Sequence, residues 1–180
     1  MKIKKVSQSA GIIAEIEQNL DSNSEVNAPS VKAVKNAIEK SYMLATLNED
    51  IWGYEGQILE PIPLDTVVYK KGEKFTLENN KIKIGSGVSK IKVSSAIFLN
   101  DFIGTGYAWG KIMKNGTGVA TALQPTITGA APYVSVCIPS TIIDVKEGDL
   151  INLRIEQTTR QQTSIRAGKQ YTFLFVEEYY

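Results

Sequence analysis

From Thr66 onward, apolar and polar residues alternate with period two, which is the pattern of half-buried strands. The alternation predicts strands in TVVYK (66–70), KFTLE (74–78), KIKIG (81–85), KIKVSSAIFL (90–99), TGYAWGKIMK (105–114), YVSVCI (133–138), LINLRIE (150–156) and 170–179. Turn-forming residues punctuate them at Lys70-Lys71-Gly72-Glu73, Glu78-Asn79-Asn80 and Glu147-Gly148-Asp149, with Gly168 leading into the final strand. Asn115-Gly116 is the strongest hairpin signal, because both central positions of a tight turn need positive φ. No helical interval separates these strands. Roughly eight to ten short strands of this kind predict a sandwich or jelly roll.

The final strand departs from simple alternation. One face carries Tyr171, Phe173, Phe175 and Tyr179; the other carries Leu174 and Val176, with Thr172 beside them. A strand that is apolar on both faces needs cover on both. That cover comes either from the chain's own domain or from another copy of the chain, and the second reading is taken.

The first 65 residues read differently. Ile12, Ile16 and Leu20 line one face of a short helix that Asp21-Ser22-Asn23-Ser24 ends. Residues 1–26 are read as a frayed terminus or as a segment that orders on a larger body. A second helix is expected over 27–47, with Asn27 as cap and Pro29 in the first turn. Its stripe is Val31, Val34, Ile38 and Ala45. That stripe packs either on two sister helices, as a short trimeric stalk, or on the body. Residues 48–65 form a connector broken by Gly53, Gly56, Pro61 and Pro63, in which Trp52 and Tyr54 are expected to cover apolar surface. Residues 66–180 are the β domain.

Composition narrows the chemistry. The chain has no His, one Cys and a net charge of +1. Without His there is no Ser–His or Cys–His catalytic pair, and one Cys makes no zinc site. Cys137, among Val134, Val136 and Ile138, is expected to be a buried small apolar residue. A charge near zero argues against a nucleic-acid surface. No apolar run reaches the ~18 residues of a membrane helix. Gly104, Gly106 and Gly110 miss the dinucleotide spacing and read as strand-end bends; Gly85 to Lys90 is not a phosphate loop. Glu177 and Glu178 read as a solvated strand end. Asp101, Asp144 and Asp149 lack the spacing of a calcium loop. No catalytic residue, metal site or cofactor is expected.

FTLENNKIKIGSGVSKIKVSSAIFL, GKIMKNG, the turn Lys146-Glu147-Gly148-Asp149 with LINLRIE, and the closing YTFLFVEEY together carry a family resemblance. The body resembles the C1q/TNF-like jelly-roll domains found at the ends of phage fibres. NAPSVKAVKNAIEK is similar to helices that precede such domains in tail-fibre and head-fibre proteins. The resemblance implies a mainly β, homotrimeric jelly roll on an N-terminal helical stalk, with the aromatic closing strand near the three-fold axis. The acidic calcium loop of some C1q-like members is not recognisable. The implied trimer interface is Tyr171, Phe173 and Phe175, continued by Val31, Val34 and Ile38 in the stalk. The implied function is that of a phage virion fibre protein made in the bacterial cytoplasm, attached to capsid or tail proteins through its N-terminal segment. Its head is expected to contact a host surface protein or glycan through the loops 99–105, 123–132 and 158–166, with Thr158, Thr159, Gln161 and Gln162 as contacts and Gln157 adding hydrogen-bonding character. A capsid decoration protein without a receptor role is the alternative, and a glycan-active enzyme the second.

Overall fold

The computed structural model describes residues 40–54, 58–102, 106–125, 133–158 and 163–180. Among the described residues are thirteen strands: β1 (Tyr42–Thr46), β2 (Ile51–Tyr54), β3 (Ile58–Leu59), β4 (Thr66–Lys71), β5 (Phe75–Glu78), β6 (Lys81–Ile84), β7 (Lys90–Asn100), β8 (Tyr107–Lys114), β9 (Thr117–Pro125), β10 (Tyr133–Asp144), β11 (Leu150–Gln157), β12 (Thr163–Ile165) and β13 (Phe173–Glu178). They form two antiparallel sheets. One has seven strands, ordered β2-β12-β7-β13-β1-β4 with β10 on the far edge of β7; the other has six, ordered β5-β6-β11-β8-β9 with β3 beside β11.

The period-two segments become strands with the expected inward faces. Ile91, Val93 and Ile97 of β7, Ile151, Leu153 and Ile155 of β11, and Leu174 and Val176 of β13 are all buried in one cluster. The turns fall where the sequence places them: Asn79, Asn80, Asn115, Gly116 and Gly148 all have positive φ. The Asn115-Gly116 turn joins β8 to β9, as its chemistry requires.

Several expectations need correction. Tyr42–Thr46, assigned above to the end of the stalk helix, is a strand that pairs with β13 on one side and β4 on the other. Its local pattern allows a strand: Met43 and Ala45 are buried, and Tyr42 and Leu44 face outward. Insertion between two strands then overrides helix propensity. The compact body accordingly begins at Ser41. The connector is also structured, with β2 pairing with β12 and β3 with β11. Trp52 is mostly in solvent, 72% exposed on edge strand β2. Tyr54, two residues on, does pack against the core. Strand β10 runs through Pro139 to Asp144, which an edge position permits, and its register shifts between Ile138 and Thr141. Cys137 is exposed, because Val136 and Ile138 on either side point inward. Gly110 is no strand-end bend. It lies buried within β8, where a Cβ would come 2.9 Å from Val136 Cγ1. Residues 27–39 of the expected stalk, with Val31, Val34 and Ile38, and the segment 1–26 lie outside the described residues.

Glu178 is likewise not solvated. Its side chain is 3% exposed, and Lys74 Nζ donates to its Oε1 at 2.6 Å. The Ser41 N–H donates to Oε2 at 3.2 Å, and the Glu178 N–H returns a bond to the Ser41 carbonyl at 2.8 Å. This set pins the end of the closing strand to the start of the body. Lys74→Met leaves the carboxylate buried without its cation and is expected to destabilise by about 2 kcal/mol. Lys70→Met breaks an exposed pair with Glu73 and is expected to cost below about 0.5 kcal/mol. Urea unfolding of both variants checks the contrast.

Candidate assembly face and groove

The outer face of the seven-stranded sheet is aromatic. On β13, Phe173 and Phe175 point away from the core, each half-buried between β1 and β7. Phe175 lies opposite Leu44 and Ser94; Phe173 lies opposite Thr46 and Ala96. Tyr42 approaches Phe175 with ring centroids 6.3 Å apart. On β7, Phe98 stacks on Tyr133 at 6.3 Å and tilts against Tyr171 at 5.2 Å. Tyr69 of β4 is 51% exposed and Tyr133 of β10 57% exposed. Small residues, Ser94, Ala96 and Ser135, separate these rings and keep the face shallow. Tyr171 precedes the strand, which begins at Phe173. It nevertheless joins the face through Phe98, with the Arg166 guanidinium 4.9 Å from its ring. The structure therefore brings Tyr171, Phe173 and Phe175 onto one surface and adds Tyr42, Phe98 and Tyr133, which sequence reasoning missed. Their signal was present as outward positions on alternating strands, but which strands lie side by side is not written in the alternation.

The proposed contact loops fare less evenly. Leu99 and Asn100 belong to β7 and are buried, as is Phe102. Leu123–Pro125 is the end of β9. Gln157 is buried, donating from Nε2 to the Tyr54 carbonyl at 3.2 Å and accepting from Thr163 Oγ1 at 2.9 Å. Thr163–Ile165 is buried strand β12. Thr158 is exposed and tied to Tyr107 by two bonds, Thr158 N–H to the Tyr107 carbonyl at 3.1 Å and Tyr107 N–H to Thr158 Oγ1 at 3.0 Å. Thr159, Gln161 and Gln162 lie outside the described residues.

The outer face of the six-stranded sheet holds a second feature. In the β8–β11 register Arg154 lies opposite Lys111, Glu156 opposite Trp109, and Asn152 opposite Met113. Lys111 Nζ donates to Glu156 Oε1 at 2.8 Å, and the Arg154 guanidinium pairs with Glu156 as well. Arg154 also reaches Glu60 Oε2 at 3.2 Å, and Asn152 Nδ2 donates to Glu60 Oε1 at 3.3 Å. Trp109 meets Tyr107 at 5.0 Å, with Lys111 Nζ 5.1 Å over its ring. Beside this row is a groove of about 710 Å³ along the β8–β9 hairpin.

No family model and no curated protein matches this chain. Solved structures do. Murine APRIL at pH 5.0 superposes with a TM-score of 0.62 at 12% identity, covering 78% of this chain and 100% of that one. Murine APRIL at pH 8.5 gives 0.58 at 12%, with the same coverage. Eiger TNF from S. frugiperda gives 0.55 at 11%, covering 78% of this chain and 92% of that one. The fold is a TNF-like jelly roll. At these identities the likeness establishes the fold alone.

Two carboxylates, the buried Asp149 and the part-buried Glu156, tune this jelly roll. Burial pushes the Asp149 carboxyl up, but the Asn115 amide at 2.8 Å, the Lys146 N–H at 3.1 Å and the charges of Lys114 and Lys146 outweigh it and leave it below its ordinary value. Asn115 Oδ1 in turn accepts from Leu150 N–H at 2.9 Å, so Asp149 locks the β8–β9 turn to the start of β11. The hydrogen bond from Lys111 holds Glu156 below its ordinary value against burial, with Arg154 assisting. The Glu156 charge and, above all, burial push the Tyr54 phenol up to about 12. For carboxyls whose folded pKa is depressed, the stabilisation is complete above the unfolded values of 3.8 and 4.5 and is lost as pH falls through the folded ones. The melting temperature is therefore expected to hold from neutrality down to about pH 5 and to drop below about pH 4. Asp149→Asn should flatten that acid limb; thermal melts across the range check it.

Among the described residues no group of His, Cys, Asp and Glu could hold a metal ion. No described helix is long and apolar enough to cross a membrane.

Proposed function

We propose that this chain is a homotrimeric fibre protein of a phage particle, a non-enzymatic jelly-roll head that contacts the host cell surface. The observation that carries the trimer is the aromatic outer face of the seven-stranded sheet. It joins Tyr42, Phe98, Tyr133, Tyr171, Phe173 and Phe175 on one surface, with Tyr69 and Tyr133 more than half exposed. Contiguous apolar surface of this kind marks an interaction site. A closed three-fold arrangement covers all three copies of one face without leaving an open filament end. Each aromatic side chain fully buried there contributes ~1.5–3 kcal/mol before the entropy of association.

The fibre reading draws on the sequence resemblance of residues 27–40 and of the body to phage fibre proteins. In that reading residues 1–26 attach to the particle and the trimer presents its loops and the outer face of its six-stranded sheet to the host. Fluorescently labelled protein mixed with host cells and, separately, with purified phage heads tests it. Adhesion to cells supports the host-contact role. Docking onto heads without adhesion to cells overturns it in favour of capsid decoration.

A further inference from the structure

We propose that the groove on the outer face of the six-stranded sheet binds a neutral saccharide unit through Trp109, Lys111 and Arg154. This gives the host-contact reading a ligand class and a place, and rests on that reading for its biological setting.

The groove is open, with a volume of about 710 Å³. That lies in the range of small-ligand sites, which combine apolar walls with a few fixed polar groups. Its floor is Met113, which alternates outward on β8 yet is only 3% exposed, lying 3.8 Å from where a Gly118 Cβ would stand. Trp109, 36% exposed, forms one wall, and Thr117 and Thr121 of β9 another. An exposed indole with polar groups at its edge suits a ring that is apolar on one face and polar around its rim.

Charge decides which such ring. The cations Lys111 and Arg154 line the groove, but their countercharges stand beside them. Glu156 takes both cations, and Glu60 takes Arg154 a second time. The cluster is therefore neutral, and a phosphate or acidic group gains no field from it. Hydrogen-bonding capacity remains. Arg154, 24% exposed, engages Glu60 and Glu156 through its two terminal nitrogens, which carry four of its five N–H donors, so donors remain at the groove. Lys111 gives one of its three donors to Glu156 at 2.8 Å. Glu60, held by Asn152 and Arg154, fixes the guanidinium so that little ordering is left to binding. An apolar peptide would desolvate the remaining donors without pairing them. A saccharide meets every part of the site, its hydroxyls on Arg154, Lys111 and the threonines, its C–H face on Trp109.

The test uses the full chain carrying Trp52→Phe, which makes Trp109 the only tryptophan, since the sequence has two. Neutral hexoses, deoxyhexoses and N-acetylhexosamines are titrated at millimolar concentration, with glucuronate and inorganic phosphate as charged arms. At least one neutral sugar is expected to shift Trp109 emission and to give a calorimetric isotherm unaffected by salt. Trp109→Ala should weaken the calorimetric affinity by roughly tenfold. Gly118→Leu should abolish it by filling the groove; this position has no strained φ, and its Cβ meets only Met113. The proposal is overturned if no neutral sugar binds, if only the anions bind and salt removes them, or if Gly118→Leu binds sugar unchanged. Cell adhesion separates the two readings: adhesion that survives Gly118→Leu overturns the groove alone, whereas a parent protein that does not adhere overturns host contact.

Discussion

Phe173→Glu is expected to turn the proposed trimer into a folded monomer. In the isolated chain Phe173 is only half-buried on the outer face of β13, opposite Ala96 and Thr46. A carboxylate there still reaches water, so the monomer's core is untouched. In the proposed trimer three copies of that carboxylate would be buried close to one axis among Phe98, Tyr171 and Phe175. Burying an unpaired charge costs several kcal/mol per ion, and the residues directly opposite, Thr46 and Ala96, carry no countercharge. The expected outcome is loss of assembly at micromolar concentration with an unchanged far-ultraviolet spectrum and a cooperative melt. If the variant still trimerises, a different surface carries the contact.

Leu174→Ala, one residue along, should do the opposite. Leu174 is fully buried, facing the core beside Val176, Met43 and Ala45. β13 is a central strand, bonded to β1 on one side and β7 on the other, so the backbone has little room to collapse into the space. Removing the side chain loses its transfer energy and leaves a cavity, for a cost of about 2–5 kcal/mol. Urea unfolding should show the midpoint falling with the slope unchanged. Where the destabilised chain stays folded it should still form trimers, because the outer face is intact. A loss below about 1 kcal/mol would mean that Leu174 is not packed as the core geometry requires. The pair separates the two faces of one strand.

That two-sided strand was legible before any fold was known, because Leu174 and Val176 alternate with Phe173 and Phe175 and no polar face remains. The same alternation revealed most of the body strands and the turn at Asn115-Gly116. It failed where the strand signal was weak or masked. β1 was hidden in a helical stripe, since Ala45 falls seven residues after Ile38 and no breaker precedes Leu47. β9 has Gly118, Ala120 and Ala122 where a strong strand would carry large apolar residues. Pro139 concealed the second half of β10, which only an edge strand tolerates. The groove was half legible. Trp109 and Lys111 share one face of β8, and Asn152, Arg154 and Glu156 share one face of β11. That Arg154 stands opposite Lys111 is a matter of register between strands far apart in sequence, and no local pattern records it. Glu60 arrives from a connector that was expected to be irregular. Glu178 misled for a related reason: its partner Lys74 lies more than a hundred residues away.

The central claim is that the aromatic face of the seven-stranded sheet is closed by two further copies of the chain. Sedimentation equilibrium of the purified protein at micromolar concentration tests it most directly. The expected mass is three times the chain's 19.8 kDa, falling to a single chain for Phe173→Glu. A parent protein that sediments as a stable 19.8 kDa monomer contradicts it.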